Sequence, residues 1–492
     1  MSHALERPAP ALKGEGARPR DVIETDIPAR LDRLPWSRFH LLVVVALGVT
    51  WILDGLEVTI VGAVGPVLQS PETLGLSSTQ VGSTASAYVV GAVIGALLFG
   101  WLTDRFGRRF VFYVTLAVYL TGVLLSAVAW DFASFAAFRA LTGLGIGGEY
   151  AAINSAIDEL IPARLRGRID LIVNGSFWIG AAAGSGASLL FLDPNLLPTD
   201  VGWRLGFAVG GVLGLFILLM RRAVPESPRW LVTHGWREQG EATVGDIERR
   251  VIESTRAPLV PAEGRLVVHP RRTFGFGLIF RAMLGKYRSR SALALVLMIS
   301  QAFLYNAVFF SYGLVLAKYQ GVPETSTGLY LLPLAVSNFL GPLLLGHFFD
   351  TIGRRVMIAG TYAVSAVLLV ATAVIFGFDG FTAWTQTLAW MLIFFFASAA
   401  ASSAYLTASE IFPLETRALA IAMFYALGTL IGGSTAPMLF GYLVGTGSAW
   451  ALSAGYVVAA VLMAAAAVAE AFFGVDAEGR PLESIAGPLS SE

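Results

Sequence analysis

The 492-residue chain contains no cysteine, which excludes disulfides, thiolate-ligated zinc, iron–sulfur clusters and thiol catalysis. Histidine is scarce: His3, His40, His234, His269 and His347 are scattered without the spacing of a metal-ligand set. No Walker lysine motif occurs, so nothing reads as a nucleotide-binding domain. No nucleophile, base or metal constellation stands out either, so no enzyme reading arises and no cofactor is implied. Charge is thin, at 14% of residues against about 25% in soluble domains. Lys plus Arg equals Asp plus Glu at 34 each, so net charge points to neither nucleic acid nor acidic partners. The first apolar run starts near residue 39 with no convincing cleavage site before it, and reads as a retained span.

What the chain has in abundance is apolar sequence, 55% hydrophobic with a mean hydropathy of +0.68. Apolar runs near 20 residues mark membrane spans at 39–65, 80–103, 109–129, 133–156, 169–191 and 203–222, then at 291–317, 326–349, 356–377, 385–408, 418–443 and 449–473. The expected organisation is all-α: a disordered tail (1–37), six helices (38–222), a polar linker with surface helices near Arg229 to Glu253 (223–290), six more helices (291–473) and a short tail (474–492). Of the 34 Lys and Arg, 31 fall in the tails, the linker, alternate loops and the linker-side end of span 203–222 (Arg221 and Arg222); Arg204 and Lys318 lie opposite and Arg139 lies within a span. By the positive-inside rule both termini and the linker are expected in the cytoplasm of a multi-pass cell-membrane protein. The linker's 12 basic residues suit topology and lipid headgroups better than nucleic acid.

The first span holds two acids, Asp54 and Glu57, inside Trp51-Ile-Leu-Asp-Gly-Leu-Glu-Val-Thr-Ile-Val-Gly62. A carboxylate there faces a protein interior or wet cavity, pairs with a cation, or holds a proton. Three residues apart they share a helix face, and such proximity discourages double ionisation. At least one is expected to bind and release a proton; a helix-end acid satisfied by interfacial water is the alternative.

The halves repeat each other. Gly100-x3-Asp104-Arg105-x-Gly107-Arg108-Arg109 follows span two, and Gly346-x3-Asp350-x2-Gly353-Arg354-Arg355 follows span eight. Glu159, Pro162 and Arg166 after span four match Glu410, Pro413 and Arg417 after span ten. Gly permits a tight turn, Asp sits at a helix end, and the Arg pair can reach the neighbouring Glu, so these charges are expected to lock one end of the molecule in one conformation and to part in another.

The repeated loop resembles the signature of the major facilitator superfamily. Pro225-Glu226-Ser227-Pro228-Arg229-Trp230-Leu231 is similar to a sugar-porter segment, and Gly479-Arg480-Pro481-Leu482-Glu483-Ser484-Ile485 resembles that branch's C-terminal motif. The Pro-Glu-Thr-Lys that normally precedes it is absent; Gly474-Val475-Asp476-Ala477-Glu478 stands there. The resemblance implies two pseudo-symmetric six-helix bundles rocking about a midplane site. It implies that Glu57 occupies the place of the acid in the span-one Gly-Tyr-Asp motif, and that Asp54-Gly-Leu-Glu57 resembles the motif of aromatic-acid and niacin-type symporters. Arg139 with Gly143 and Gly145 looks like the span-four motif linked to proton coupling. Glu149, in Gly147-Gly148-Glu149, is either a second polar site residue or a packed structural acid.

For the substrate, the resemblance implies Asn174, Gln301 and Asn306, with Trp178, Tyr305, Phe310 and Tyr405 as further candidates. Ser300 replaces a Gln, Phe310 stands where a Tyr is usual, and Ala401 to Tyr405 replaces Gly-Pro-x2-Trp, so a flatter aromatic or carboxylic acid fits Phe309, Phe310, Trp178 and Tyr405 at least as well as a hexose. The expected function is proton-coupled symport of a small organic metabolite by a monomer in a lipid bilayer. Proton-driven efflux and a transporter-like solute sensor are the alternatives.

Overall fold

An apolar segment in hydrocarbon must satisfy its own backbone hydrogen bonds, which a helix does within one segment. The computed structural model describes residues 23–64, 67–76, 78–192, 195–220, 224–262, 264–268, 281–322, 327–413 and 416–487. In the first half the long helices are α1 (Arg38–Val64), α2 (Ser78–Phe106), α3 (Arg108–Ala127), α4 (Phe132–Leu160), α5 (Arg166–Gly175 continued by Phe177–Phe191) and α6 (Thr199–Met220). In the second they are α7 (Arg288–Gln320), α8 (Thr327–Thr351), α9 (Arg354–Gly377), α10 (Ala383–Glu410), α11 (Arg417–Gly428, a π-helical turn Thr429–Gly433, then Ser434–Gly445) and α12 (Ala449–Phe473). Among the described residues nine helices are long and apolar enough to cross a membrane. Of the remaining helices, α5 is interrupted at Ser176. There the Ser176 hydroxyl donates to the carbonyls of Val173 (2.6 Å) and Gly48 of α1 (3.1 Å).

Two hydrophobic cores form, one drawn almost wholly from each half. Large apolar side chains such as Phe110, Val128, Val367, Phe378 and Phe472 point outward, as a hydrocarbon surrounding allows. Within the first half, α2 and α4 touch backbone to backbone: a Cβ on Gly91 or Gly95 would strike Ala140 or Leu144, and one on Gly143 or Gly147 would strike Tyr88 or Ala92. That contact brings Tyr88 of α2 against Arg139 of α4.

Residues 23–37, expected to be part of a disordered tail, are ordered. Ile23–Thr25 pairs antiparallel with Leu266–Val268 of the linker, and Ile27–Asp32 forms a short helix. Its order comes from docking: Ile27 and Leu31 are buried, and Arg30 and Arg33 grip Glu248 at 2.6 and 2.5 Å. Burial acts upward on the Glu248 carboxyl, but the hydrogen bonds from Arg30 and Arg33 hold it below its ordinary value. Residues 1–22 lie outside the described ones. The linker forms helices Pro228–Thr233, capped by the Ser227 hydroxyl, and Arg237–Thr255, whose apolar face buries Val244, Ile247 and Val251.

Candidate functional site

The acids of α1 take different partners. Glu57, 2% exposed, pairs with the Arg139 guanidinium of α4, which lies over the Tyr88 ring at 4.6 Å. Asp54, fully buried, accepts instead from two phenols, Tyr88 at 3.0 Å and Tyr150 at 2.5 Å. One acid therefore faces a fixed cation while its neighbour is held by neutral donors, which suits a neutral as well as a charged carboxyl.

Beside these acids the two halves meet through aromatic rings. Trp51 stacks on Tyr150 (4.6 Å, 9°) and meets Tyr405 edge-on (6.1 Å); Tyr150 meets Tyr425 at 5.0 Å. Trp178 stacks on Tyr305 at 5.8 Å, and the Tyr305 hydroxyl donates to Asn338 at 2.6 Å. Gln301 donates to the Met298 sulfur, at 3.9 Å, while Asn306 donates to the Ala302 carbonyl beside the α11 π-turn. Asn174, one turn before Trp178, donates to Asn154 at 3.0 Å and to the Asp170 carbonyl. Glu149 lies on the α3 side of α4, where the Thr115 hydroxyl donates to it at 3.4 Å. The side chains of Phe309 and Phe310 lie outside the described ones.

At the linker end, the repeated motifs interlock. Arg108 binds Glu159 (2.7 Å) and faces Asp104 (3.5 Å); Arg354 binds Glu410 (2.9 Å) and Asp350 (2.7 Å). These pairs stay within a half. The contacts that join the halves are others. Asp104 accepts the Leu419 amide at the start of α11 (3.0 Å), and Asp350 accepts the Gly167 and Arg168 amides at the start of α5 (3.1 and 2.8 Å). Arg166 faces Glu410 at 3.6 Å, and Arg417 faces Glu159 at 3.5 Å. Arg229 of the linker adds Glu483 (2.8 Å) and Asp32 (2.9 Å).

Glu226 accepts the Arg108 and Arg109 amides, at 2.9 and 3.2 Å, beside Gly107 with its φ of +90°. Burial raises its carboxyl while those amides and that of Ser227 act downward. Arg105, Arg109 and Arg355 keep their side chains out of the ion pairs: Arg105 lies over Trp101, Arg109 is exposed and Arg355 donates to the Ala471 carbonyl. Gly100 starts the turn-bearing repeat inside α2.

Residues the sequence did not single out complete both regions. Glu478 does in the second half what Glu226 does in the first, accepting the Arg354 amide at 3.3 Å beside Gly353, whose φ is +123°. Tyr88, Tyr150, Trp51, Tyr425 and Asp32 were missed too. Rings in spans face lipid or core as readily as a site, and Asp32 stands in a stretch without periodicity, so none carried a local signal. Among the described residues no group of three His, Asp or Glu could hold a metal ion.

Residues 52–487 match the profile of the family described as "Sugar (and other) transporter". The niacin transporter NiaP of Acinetobacter baylyi is 27% identical over 463 residues, 94% of this chain and 99% of that one. The 4-hydroxybenzoate transporter PcaK of Pseudomonas aeruginosa is 32% identical over 49% of this chain and 50% of its own. Among solved structures, the proton:xylose symporter XylE bound to 6-bromo-6-deoxy-D-glucose superposes with a TM-score of 0.74 at 20% identity, over 91% of this chain and 98% of that one. The inward-open form of XylE from E. coli superposes with a TM-score of 0.60 at 20% identity, over 91% and 99%. Because the family match runs through both halves and the interlocked end between them, the chain belongs to the sugar (and other) transporter family, as an integral membrane transporter of the major facilitator fold and not an enzyme.

Proposed function

We propose that this transporter couples entry of one small organic metabolite, an aromatic or short carboxylic acid rather than a hexose, to entry of protons. The observation that carries the reading is the buried Glu57–Arg139 pair beside a phenol-held Asp54, next to rings contributed by both halves. In this reading the bundles are 38–222 and 291–473, the linker (223–290) and both tails face the cytoplasm of the cell membrane, and a monomer is the working unit. Protonation from outside neutralises the acids. Solute then enters the aromatic set, with Gln301 and Asn306 supplying polar groups. Closure of the outer end parts the cross-half contacts of Asp104, Asp350, Arg166 and Arg417, while Arg108–Glu159 and Arg354–Glu410 travel with their own halves. The conformer described is the one closed toward the linker. Its better superposition on sugar-bound than on inward-open XylE supports that reading.

Two relatives are named for aromatic carboxylates, which supports the solute class. The test is uptake into proteoliposomes under an imposed proton gradient, with nicotinate, 4-hydroxybenzoate, xylose and short carboxylates as probes. Gradient-driven accumulation of an acid, lost in Asp54→Asn with Glu57→Gln, supports the reading. Accumulation that stays concentrative in that double variant sinks it, and sugar-only uptake indifferent to pH makes the protein a facilitator.

A further inference from the structure

Asp170 stands about one turn into α5, where that helix leaves the interlocked end and heads for the centre. Its side chain is fully buried, and among the described residues neither carboxyl oxygen has a partner in hydrogen-bonding geometry. The Asn174 amide one turn further on acts on the carboxyl, but its well-formed hydrogen bonds go elsewhere. Asn174 directs Nδ2 to the Asn154 Oδ1 (3.0 Å) and to the Asp170 main-chain carbonyl (2.9 Å), which occupies both of its N–H groups. Asn174 Oδ1 is left as a second buried acceptor without a donor. Acceptors four residues apart on one helix face, with no donor assigned to either, form an arrangement that one proton on Asp170 resolves.

The surrounding charges sharpen the point. The groups acting on Asp170 include Asp158 from α4, Glu410 from α10 and Arg354 from the start of α9. Arg354 is already bound to Asp350 (2.7 Å) and Glu410 (2.9 Å). Arg166, on the same helix, faces Glu410 (3.6 Å) and Asp158 (4.0 Å), and Arg417 from α11 faces Glu159 (3.5 Å) and Asp158 (4.0 Å). From α8, Asp350 accepts the amides at the start of α5. On α1, His40 is engaged with Ser37, and no charged side chain follows until Asp54. Among the described residues Asp170 thus has no cation of its own, and an ionised carboxylate there would stand against two others in a buried setting.

We propose that Asp170 is a second proton-binding carboxylate of the transport cycle, protonated while the linker-side end is closed and discharged to that side when opening hydrates it. The O–H bond of the acid breaks, the proton passes to entering water, and the carboxylate stays behind until the next turn of the cycle, when a proton admitted from the outer side restores the O–H bond. The proposal rests on the symport reading and adds an acid that the central site does not contain.

The test uses the full chain with protons as the probe. Infrared difference spectroscopy, titrated by pH in light and heavy water, should show a protonated-carboxyl band at neutral pH in wild type. That band should persist in Asp54→Asn with Glu57→Gln, vanish in Asp170→Asn and return shifted in Asp170→Glu. Arg166→Ala with Arg417→Ala, which frees the linker end, should make it titrate away at lower pH. If every neutral-pH carboxyl band survives Asp170→Asn in folded protein, Asp170 is ionised and the proposal falls. Uptake of nicotinate or 4-hydroxybenzoate separates the two readings. No proton flux with either solute in wild type defeats symport itself, whereas proton-coupled uptake with an unchanged proton-to-solute ratio in Asp170→Asn defeats only the role of Asp170.

Discussion

Arg166, which opens α5 in the first half, sets its Nη1 3.6 Å from Oε1 of Glu410, which ends α10 in the second. Its sequence counterpart Arg417 returns the contact to Glu159 at 3.5 Å. The halves have exchanged cations across their interface. Each intra-half pair, Arg108–Glu159 and Arg354–Glu410, is shorter and lies within its bundle, so the exchanged pairs, with the Asp104 and Asp350 contacts to main-chain amides, are the ones that join the halves at the linker-side end.

Arg166→Ala and Arg417→Ala are therefore each expected to shift the population toward an open linker side. The chain has no native cysteine, so Ser409→Cys, at a fully buried position, gives a clean reporter. Thiol labelling should be faster in either Arg variant than in Ser409→Cys alone, and fastest in both together. Equal labelling in all four proteins would show that these pairs do not hold the end closed.

Breaking the Glu57–Arg139 pair leaves a buried charge uncompensated, at a cost of about 3–5 kcal/mol. Glu57→Gln and Arg139→Gln singly should each lower thermal stability by an amount of that order. The double replacement should recover most of the stability without recovering proton-driven uptake. Recovery of both would make the pair a structural fixture only.

Glu226→Gln and Glu478→Gln should cost similar amounts, about 1–2 kcal/mol each, since both carboxylates receive main-chain amides at a helix start. Thermal melts of the two variants check this. A silent Glu478→Gln beside a damaging Glu226→Gln would end the claim of equivalence.

His234 lies buried in the linker, stacked on Trp230 at 4.3 Å. Burial is the main cause that pushes its imidazole down from 6.5 to about 4. A depressed folded value means that stability is full above 6.5 and is lost as pH falls toward 4, by an amount on the order of 3 kcal/mol. The melting temperature should drop across that window in wild type and much less in His234→Gln. Matching pH profiles in the two proteins would remove His234 as the cause.

Much of the architecture was legible because bilayer thickness imposes a period on composition. Runs near 20 residues, the basic loops and the doubled Asp-x2-Gly-Arg-Arg turns are local features, and they placed the helices and brought Asp104, Arg108, Asp350 and Arg354 to one end. That Arg139 would meet an acid of α1 was legible for the same reason, since a lone cation in a span requires an acid. The sequence alone did not determine which acid that cation takes, because Asp54 and Glu57 lie on one face of one helix. The close α2–α4 contact brings Tyr88 to Arg139, while the phenols of Tyr88 and Tyr150 hold Asp54, and that is a matter of packing. The exchange of Arg166 and Arg417 between halves, the docking of Asp32 and the isolation of Asp170 likewise depend on surfaces that meet only once twelve helices have assembled. Pairing across an interface is set by distance in space, and a chain read residue by residue records spacing along one helix at a time.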